Sequence, residues 1–196
     1  VTLSSSPFDW LEASFFYTNI EDRPYCYDFT SEFCLQDFKD KGFNVKLRLK
    51  EQGVFPAVAI GLNDFAGTGL YSSEYIVGSY GINRTDFHFG LGFGLLDGSD
   101  LRFKNPLGII SDKFYDRPTS FAAKGGSFQP SRYFSGETAS PFFGVSHALN
   151  NKFLLRAEYD SSVRPGLVPF RIPENDFSFG VDYSINDNLS IGVSYE

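Results

Sequence analysis

Residues 86–95 have the sequence Asp86-Phe-His-Phe-Gly-Leu-Gly-Phe-Gly-Leu95. Successive side chains of a β-strand face opposite sides of the sheet, so one side of this strand would carry Phe and Leu and the other only histidine and glycine. The same alternation of large apolar with small or polar residues recurs at residues 43–50, 177–183 and 189–196. An apolar exterior around a polar interior is typical of a transmembrane β-barrel.

The composition agrees with a barrel and excludes other classes of protein. The 196 residues include 23 Phe, 11 Tyr and 19 Gly, and the net charge is −7. No apolar run approaches the roughly 18–20 residues of a membrane-spanning helix, whereas a barrel strand needs only about 9–11, so a helical membrane protein is excluded. The negative charge argues against a nucleic-acid partner, because phosphate binding requires clustered Lys and Arg on an exposed surface.

The alternation and the turn residues together predict ten antiparallel strands. The predicted strands span residues 1–5, 10–19, 42–51, 54–63, 71–80, 84–95, 141–149, 152–160, 176–184 and 188–196. Short turns rich in Gly, Pro, Asn and Asp alternate strictly with long connections at 20–41, 64–70, 96–140 and 161–175. Alternate connections of an antiparallel sheet lie on opposite sides of the membrane, so every short turn would be periplasmic and every long loop extracellular.

This arrangement predicts an all-β, antiparallel, up-and-down transmembrane β-barrel in the bacterial outer membrane, with residues 1–196 as a single barrel domain. Because the first and last connections are both short turns, both ends of the chain would lie on the extracellular side. Complete single-chain barrels have an even number of strands and ordinarily keep both ends periplasmic. We therefore expect further strands on both sides of this segment, within a barrel of about twelve strands.

Several stretches of the chain carry a family resemblance. They are Trp10–Asn19, Asp40–Leu49, Pro56–Leu70, Glu74–Val77, Asp86–Gly94, Asn105–Gly108, Phe143–Val145, Leu155–Asp160 and Val193–Glu196. In this order they are similar to the YjbH family of exopolysaccharide-biosynthesis outer-membrane proteins. The resemblance implies a role in producing or exporting an extracellular polysaccharide, with outer-membrane lipid, the polysaccharide and other secretion-machinery proteins as partners. It also implies a hairpin before residue 1 and a strand after residue 196, and it supplies no catalytic residues.

Charged residues at predicted inward positions are the candidates for function. In a conduit they would order passing anionic or hydroxylated sugars. Alternatively, they would form a salt-bridged interior that plugs a narrow barrel, because lumenal charges must be hydrated or paired. The inward glycines would either clear a channel or permit tight curvature. The lumen-lining candidates are Glu12, Lys46, Arg48, Lys50, His88, Arg156, Glu158 and Asp182.

The cysteines and histidines predict a disulfide but no catalytic or metal site. Cys26 and Cys34 lie in the first long loop, and an exported loop meets an oxidising compartment, so we expect them to be bridged. Two cysteines without a nearby histidine do not make a zinc site. Ser146 and His147 would face opposite sides of their strand, and His88 has no serine adjacent in sequence, so no catalytic triad is predicted. We expect a non-enzymatic protein without metal or cofactor.

The loop at 96–140 has aromatic residues among polar ones, which suits either the binding of sugar rings or a plug that folds into the lumen. The leading hypothesis is an outer-membrane barrel that serves exopolysaccharide secretion as a conduit or as a scaffold. One alternative is an outer-membrane enzyme acting on lipid or glycan. The other is a soluble β-barrel that binds an apolar ligand, which would require the Phe-rich faces to point inward.

Overall fold

The computed structural model describes residues 1–25, 36–118, 128–160, 162–163, 176–186 and 189–195. The strands are β1 (Thr2–Phe8), β2 (Leu11–Tyr25), β3 (Gln36–Lys50), β4 (Ala57–Asn63), β5 (Ser73–Ile82), β6 (Thr85–Gly94), β7 (Phe103–Lys104), β8 (Thr138–Ala148), β9 (Phe153–Tyr159), β10 (Phe177–Asn186) and β11 (Leu189–Tyr195). Three 3-10 helices, at Pro106–Ile109, Asp112–Tyr115 and Pro130–Arg132, lie between β7 and β8.

The described strands form one antiparallel sheet in which long strands pair in the order of the chain. The order is β1-β2-β3-β4-β5-β6-β8-β9-β10-β11, and the two-residue β7 pairs with β8. Every pairing between neighbours is antiparallel, and the contacts along the sheet come from strands that are neighbours in this order. The predicted all-β, antiparallel architecture is confirmed.

The register of the strands places the large apolar residues on one side of the sheet and the small or polar residues on the other. Glu12 lies opposite Lys46, Lys46 opposite Gly61, Gly61 opposite Tyr75, and Tyr75 opposite Gly92. We call the side that carries these five residues the polar face and the other side the apolar face. Since cross-strand partners share a face, the alternation seen in single strands extends across the whole sheet.

Along β10, exposure on the two faces is the reverse of that in a water-soluble sheet. Along β10, the apolar-face residues Phe177, Phe179 and Val181 are 45%, 57% and 44% exposed. The intervening polar-face residues Ser178 and Gly180 are half-buried. A soluble protein buries large apolar side chains and exposes polar ones. In β10, the large side chains therefore lie on the side that the described structure leaves open.

The two edges of the sheet are β1 and β11. Among the described residues, β1 pairs with β2 alone and β11 with β10 alone. Direct pairing of the first strand with the last therefore does not close this sheet. In the described part of the chain, no helix is both long enough and apolar enough to cross a membrane.

The structure corrects two of the predicted long loops. The loop predicted at 20–41 was wrong in extent, because β2 continues to Tyr25 and β3 begins at Gln36. The hairpin continues there by backbone pairing across a register shift between Ile20 and Pro24, where the sequence has no apolar alternation to reveal it. The region predicted as loop 96–140 contains β7 and the 3-10 helices, and we call residues 95–137 the connecting segment.

Candidate functional site

Residues from distant strands line one cavity on the polar face. A cavity of about 460 Å³, which we call the central cavity, is lined by Lys46 of β3, His88 of β6 and Glu158 of β9, together with Tyr75 and Phe142. In a flat sheet, β3 and β9 would be separated by roughly 24 Å, because neighbouring strands lie about 4.8 Å apart. The sheet therefore curls, and its polar face is the concave side.

Four of the predicted lumen-lining residues form two ion pairs across adjacent strands. Lys46 Nζ lies 4.0 Å from Glu12 Oε2, and both side chains are about half exposed. Arg156 binds Asp182 through two contacts, with Nε 2.9 Å from Oδ2 and Nη2 2.9 Å from Oδ1. Exposed ion pairs of this kind contribute about 0–1 kcal/mol to stability. Their main effect on the polar face is that each cation is balanced by a carboxylate.

The structure separates Lys50 from Lys46 and Arg48, although strand alternation places the three on one face. Lys46 and Arg48 line one cavity together with Glu12. The pairing of β3 with β4 shifts register between Arg48 and Lys50, and such a bulge re-aims the side chains beyond it. Arg48 Nη2 donates to Glu51 Oε1 at 3.0 Å. The Lys50 ammonium lies 4.8 Å from the ring centre of Phe55 in the turn that follows. Lys46 alone of the three lines the central cavity.

The structure brings a serine to His88 that the sequence order did not reveal. Ser79 Oγ lies 2.8 Å from His88 Nδ1, on the neighbouring strand, and both residues line the central cavity. Among the described hydrogen bonds, none joins a carboxylate to the other ring nitrogen of His88. A serine and a histidine without an orienting acid lack the third group of a catalytic triad.

Aromatic rings cover several glycines of the polar face. A Cβ atom at Gly42 would lie 2.7 Å from Cε1 of Phe16, and one at Gly61 would lie 2.2 Å from Cε1 of Tyr75. These rings therefore occupy the space that a larger residue on the neighbouring strand would fill. At Gly61 the glycine therefore leaves space for a ring, whereas at Gly42 it leaves space for both the Phe16 ring and the Asp64 carboxylate.

A buried ion pair attaches the connecting segment to the start of β5. Arg117 donates to both carboxylate oxygens of Glu74, with Nη1 2.7 Å from Oε2 and Nη2 3.0 Å from Oε1. Glu74 is fully buried, and the Arg117 side chain is 18% exposed. The backbone N–H of Phe134 also donates to Glu74 Oε2 at 3.0 Å. One carboxylate thus holds two parts of the connecting segment.

Asn105 organises the interior of the connecting segment. It is 1% exposed, and its Nδ2 lies 3.0–3.1 Å from the backbone oxygens of Phe114, Phe134 and Gly136. Its Oδ1 accepts from the N–H of Leu107 at 2.9 Å and so caps the first 3-10 helix. The connecting segment therefore has its own buried polar network.

Asp64 is a second buried carboxylate near this end of the sheet. It is 3% exposed; its Oδ2 accepts from the N–H of Tyr71 at 3.1 Å, and its own N–H donates to Asn44 Oδ1 at 3.0 Å. Burial and, secondly, the carboxylate of Asp40 raise the pKa of Asp64 from 3.8 to about 7, against the opposing effects of backbone hydrogen bonds and Arg132. Asp64 therefore changes charge near neutral pH.

The role of Glu74 was not predicted from the sequence, although a signal was present. Glu74 lies opposite Leu62 and Phe93, so it occupies a position on the apolar face, where an unpaired carboxylate would be costly. Phe93, predicted to lie on the apolar exterior, is 0% exposed and packs edge-on against Phe134, with ring centres 5.5 Å apart. The connecting segment covers this end of the apolar face.

Two further predictions concern cysteines and metals. Cys26 and Cys34 lie outside the described residues. Within the part of the chain that the structure describes, no group of three His, Cys, Asp or Glu side chains is placed to hold a metal ion.

Comparison with known proteins identifies the family. A family model described as "Exopolysaccharide biosynthesis protein YbjH" matches residues 1–196. The chain belongs to the YjbH family. It is 36% identical over 194 residues to "Uncharacterized lipoprotein YjbH" of Escherichia coli (strain K12), an alignment that covers 96% of this chain and 27% of that relative. The chain thus spans about a quarter of the length of the relative. No solved structure matches.

Membership in the YjbH family confirms the resemblance found in the sequence. Two of the stretches that carried it, Pro56–Leu70 and Asn105–Gly108, contain Asp64 and Asn105, and the short stretch Glu74–Val77 begins with the buried carboxylate. These stretches therefore include the carboxylate that binds Arg117 and the asparagine that organises the connecting segment, while Arg117 itself lies outside them.

Proposed function

We propose that this chain is part of an outer-membrane β-barrel that takes part in exopolysaccharide secretion, with the apolar face against lipid and the polar face around the lumen. The observation that carries the proposal is the reversed exposure of the two faces along β10, where Phe179 is exposed and Ser178 is half-buried. A large exposed apolar surface needs a membrane or a partner to cover it. The family description supports the link to exopolysaccharide, and the word lipoprotein in the relative's name supports a membrane-associated location.

The soluble-barrel alternative fits the geometry less well. It requires the Phe-rich face to be the buried lining and the charged face to be the exterior. The curl of the sheet is in the opposite sense, because Lys46, His88 and Glu158 line the concave side, while Phe89 on the apolar face is 61% exposed.

The ion pairs on the polar face determine which charge of polymer would suit the lumen. Glu12 neutralises Lys46, and Asp182 neutralises Arg156, so the polar face does not present a row of unbalanced cations. A passage for a hydroxylated polymer, or a scaffold for partner proteins of the secretion machinery, suits this surface better than a channel selective for polyanions. The proposal includes no catalytic step.

Adjacent residues of β10 provide a test of orientation. Phe179→Arg places a cation on the apolar face, which in a bilayer costs roughly 2–4 kcal/mol near the midplane. Ser178→Arg is the matched control, because Ser178 lies on the polar face opposite Glu158. In the full-length protein, we expect Phe179→Arg to reduce the membrane-inserted fraction, measured by heat-modifiable gel migration of washed membranes, and Ser178→Arg to leave it unchanged. Equal insertion of both variants would overturn the proposed orientation.

A charge swap tests conduit against scaffold. Lys46→Glu leaves two carboxylates facing each other, whereas the double variant Glu12→Lys with Lys46→Glu restores the pair in reverse. If the protein conducts, planar-bilayer recordings should show altered ion selectivity in the single variant and recovery in the double variant. No conductance in any form, together with normal polysaccharide export by cells carrying folded variants, would favour the scaffold.

A further inference from the structure

Four aromatic residues on or beside the polar face form two edge-on pairs. Besides Phe16 over Gly42 and Tyr75 over Gly61, Phe142 covers Gly90, where a Cβ atom would lie 2.2 Å from the ring Cζ. Tyr71 meets Phe16 edge-on, with ring centres 5.6 Å apart, and Tyr75 meets Phe142 edge-on at 6.1 Å. The four aromatic residues, which we call the aromatic series, are Phe16, Tyr71, Tyr75 and Phe142.

The aromatic series remains accessible from the concave side. All four residues are half-buried, so part of each residue remains exposed. Phe16 and Tyr71 line a cavity of about 510 Å³, and Tyr75 and Phe142 line the central cavity. Asn63 lines both, so the two cavities adjoin.

The cavity of about 510 Å³ is lined by polar groups but not by charged side chains. Its polar lining includes Thr18, Asn44, Asn63 and Ser73, and none of its described lining residues is Lys, Arg, His, Asp or Glu. Hydroxyls and amides both donate and accept hydrogen bonds. Burying an anion beside them without a cation would be costly, so this lining suits an uncharged ligand that carries hydroxyl groups.

We propose that the two adjoining cavities bind neutral saccharide units, which stack on the aromatic series and hydrogen-bond to the amide and hydroxyl groups of the 510 Å³ cavity. The central cavity does have charged lining residues, but Lys46 is paired with Glu12, and the carboxylates of Glu158 and Asp160 disfavour an acidic sugar. A pyranose ring has an apolar C–H face and hydroxyl groups around its edge, and aromatic side chains provide a large apolar surface for the former. Cavities of several hundred Å³ with a few fixed polar groups are typical of small-molecule sites. This inference rests on the proposed function and specifies the class of sugar as neutral.

The test uses full-length protein in detergent and titration calorimetry. The probes are neutral malto-, cello-, galacto- and manno-hexaose, and hexagalacturonate as the acidic counterpart. The variants are Phe16→Ala, Tyr75→Ala and, outside the strands, Tyr71→Ala, each checked for folding by heat-modifiable migration. Tyr75→Phe keeps the ring, and Phe179→Ala removes an equivalent ring from the apolar face.

We expect at least one neutral hexaose to bind and hexagalacturonate to bind more weakly. Removal of one ring should weaken binding roughly fivefold to tenfold, the loss typical of one aromatic contact, while Tyr75→Phe and Phe179→Ala should bind as the unaltered protein does. Failure of all four neutral probes to bind, tighter binding of the acidic probe, or affinity unchanged by every ring deletion that folds would overturn the site. The orientation test at Phe179 and Ser178 does not depend on sugar binding, so it would still report on the proposed function.

Discussion

Replacing Arg117 with methionine should release the connecting segment from the start of β5. The substitution keeps an unbranched side chain of moderate length but removes the guanidinium that binds both carboxylate oxygens of Glu74. It also removes the hydrogen bonds from Arg117 to the backbone oxygens of Ser72, Arg132 and Ser135, at 2.9–3.2 Å. Glu74, which is fully buried, would be left as a carboxylate without its cation.

Burial determines the size of the effect. Removing one partner of a buried ion pair lowers the free energy of unfolding by roughly 3–5 kcal/mol. Because the Arg117 side chain is 18% exposed, we expect a loss at the lower end of this range, about 3 kcal/mol. The exposed pair between Lys46 and Glu12 is the internal comparison, because its side chains are 46% and 55% exposed. Lys46→Met should therefore cost no more than about 1 kcal/mol.

Limited proteolysis of full-length protein measures the release. Chymotrypsin is suitable because Phe114, Tyr115 and Phe134 lie in the connecting segment and none of its target residues is altered by Arg117→Met. If cleavage follows the population of the opened state, about 3 kcal/mol corresponds to a roughly hundredfold faster cut, at about 1.4 kcal/mol per tenfold.

The double variant Glu74→Gln with Arg117→Met separates charge from packing. Because it removes the unpaired buried carboxylate, we expect it to be cleaved more slowly than Arg117→Met alone. Protection of Arg117→Met equal to that of Lys46→Met would refute the reasoning, and so would a double variant that opens more readily than the single one.

Three further predictions concern other residues. Folding raises the pKa of Asp64 from 3.8 to about 7, so the folded protein binds this proton more tightly than the unfolded chain does. The resulting stabilisation is complete below the ordinary pKa and is lost as the pH rises through about 7. In urea unfolding compared at about pH 5 and about pH 9, Asp64→Asn should reduce this dependence of stability on pH. Asn105→Ala, which leaves buried carbonyl groups unpaired at a cost of roughly 1–3 kcal/mol, should speed chymotryptic cleavage of the connecting segment, and unchanged cleavage would contradict that role. Peptide mapping without reductant should recover Cys26 linked to Cys34, whereas free thiols in the exported protein would exclude the bridge.

The sequence by itself determined the class of fold and the composition of the two faces. The alternation at residues 86–95 was sufficient for this because the side-chain period of a strand is two, so one correctly placed strand assigns every residue in it to a face. Phe89 and Phe179 were assigned in this way, and both are exposed on the apolar face. The period gave no information where the alternation ended, so the extension of β2 to Tyr25 was missed.

Only the tertiary structure decided which groups meet. The contact between Arg117 and Glu74 joins residues 43 positions apart, and the contact between Ser79 and His88 depends on the register of two strands. The register shift after Arg48 separates Lys50 from the cations that precede it, although alternation alone places them on one face. Pairing, register and bulges arise from the free energy of many strands packed together, and a pattern within one strand contains none of that information.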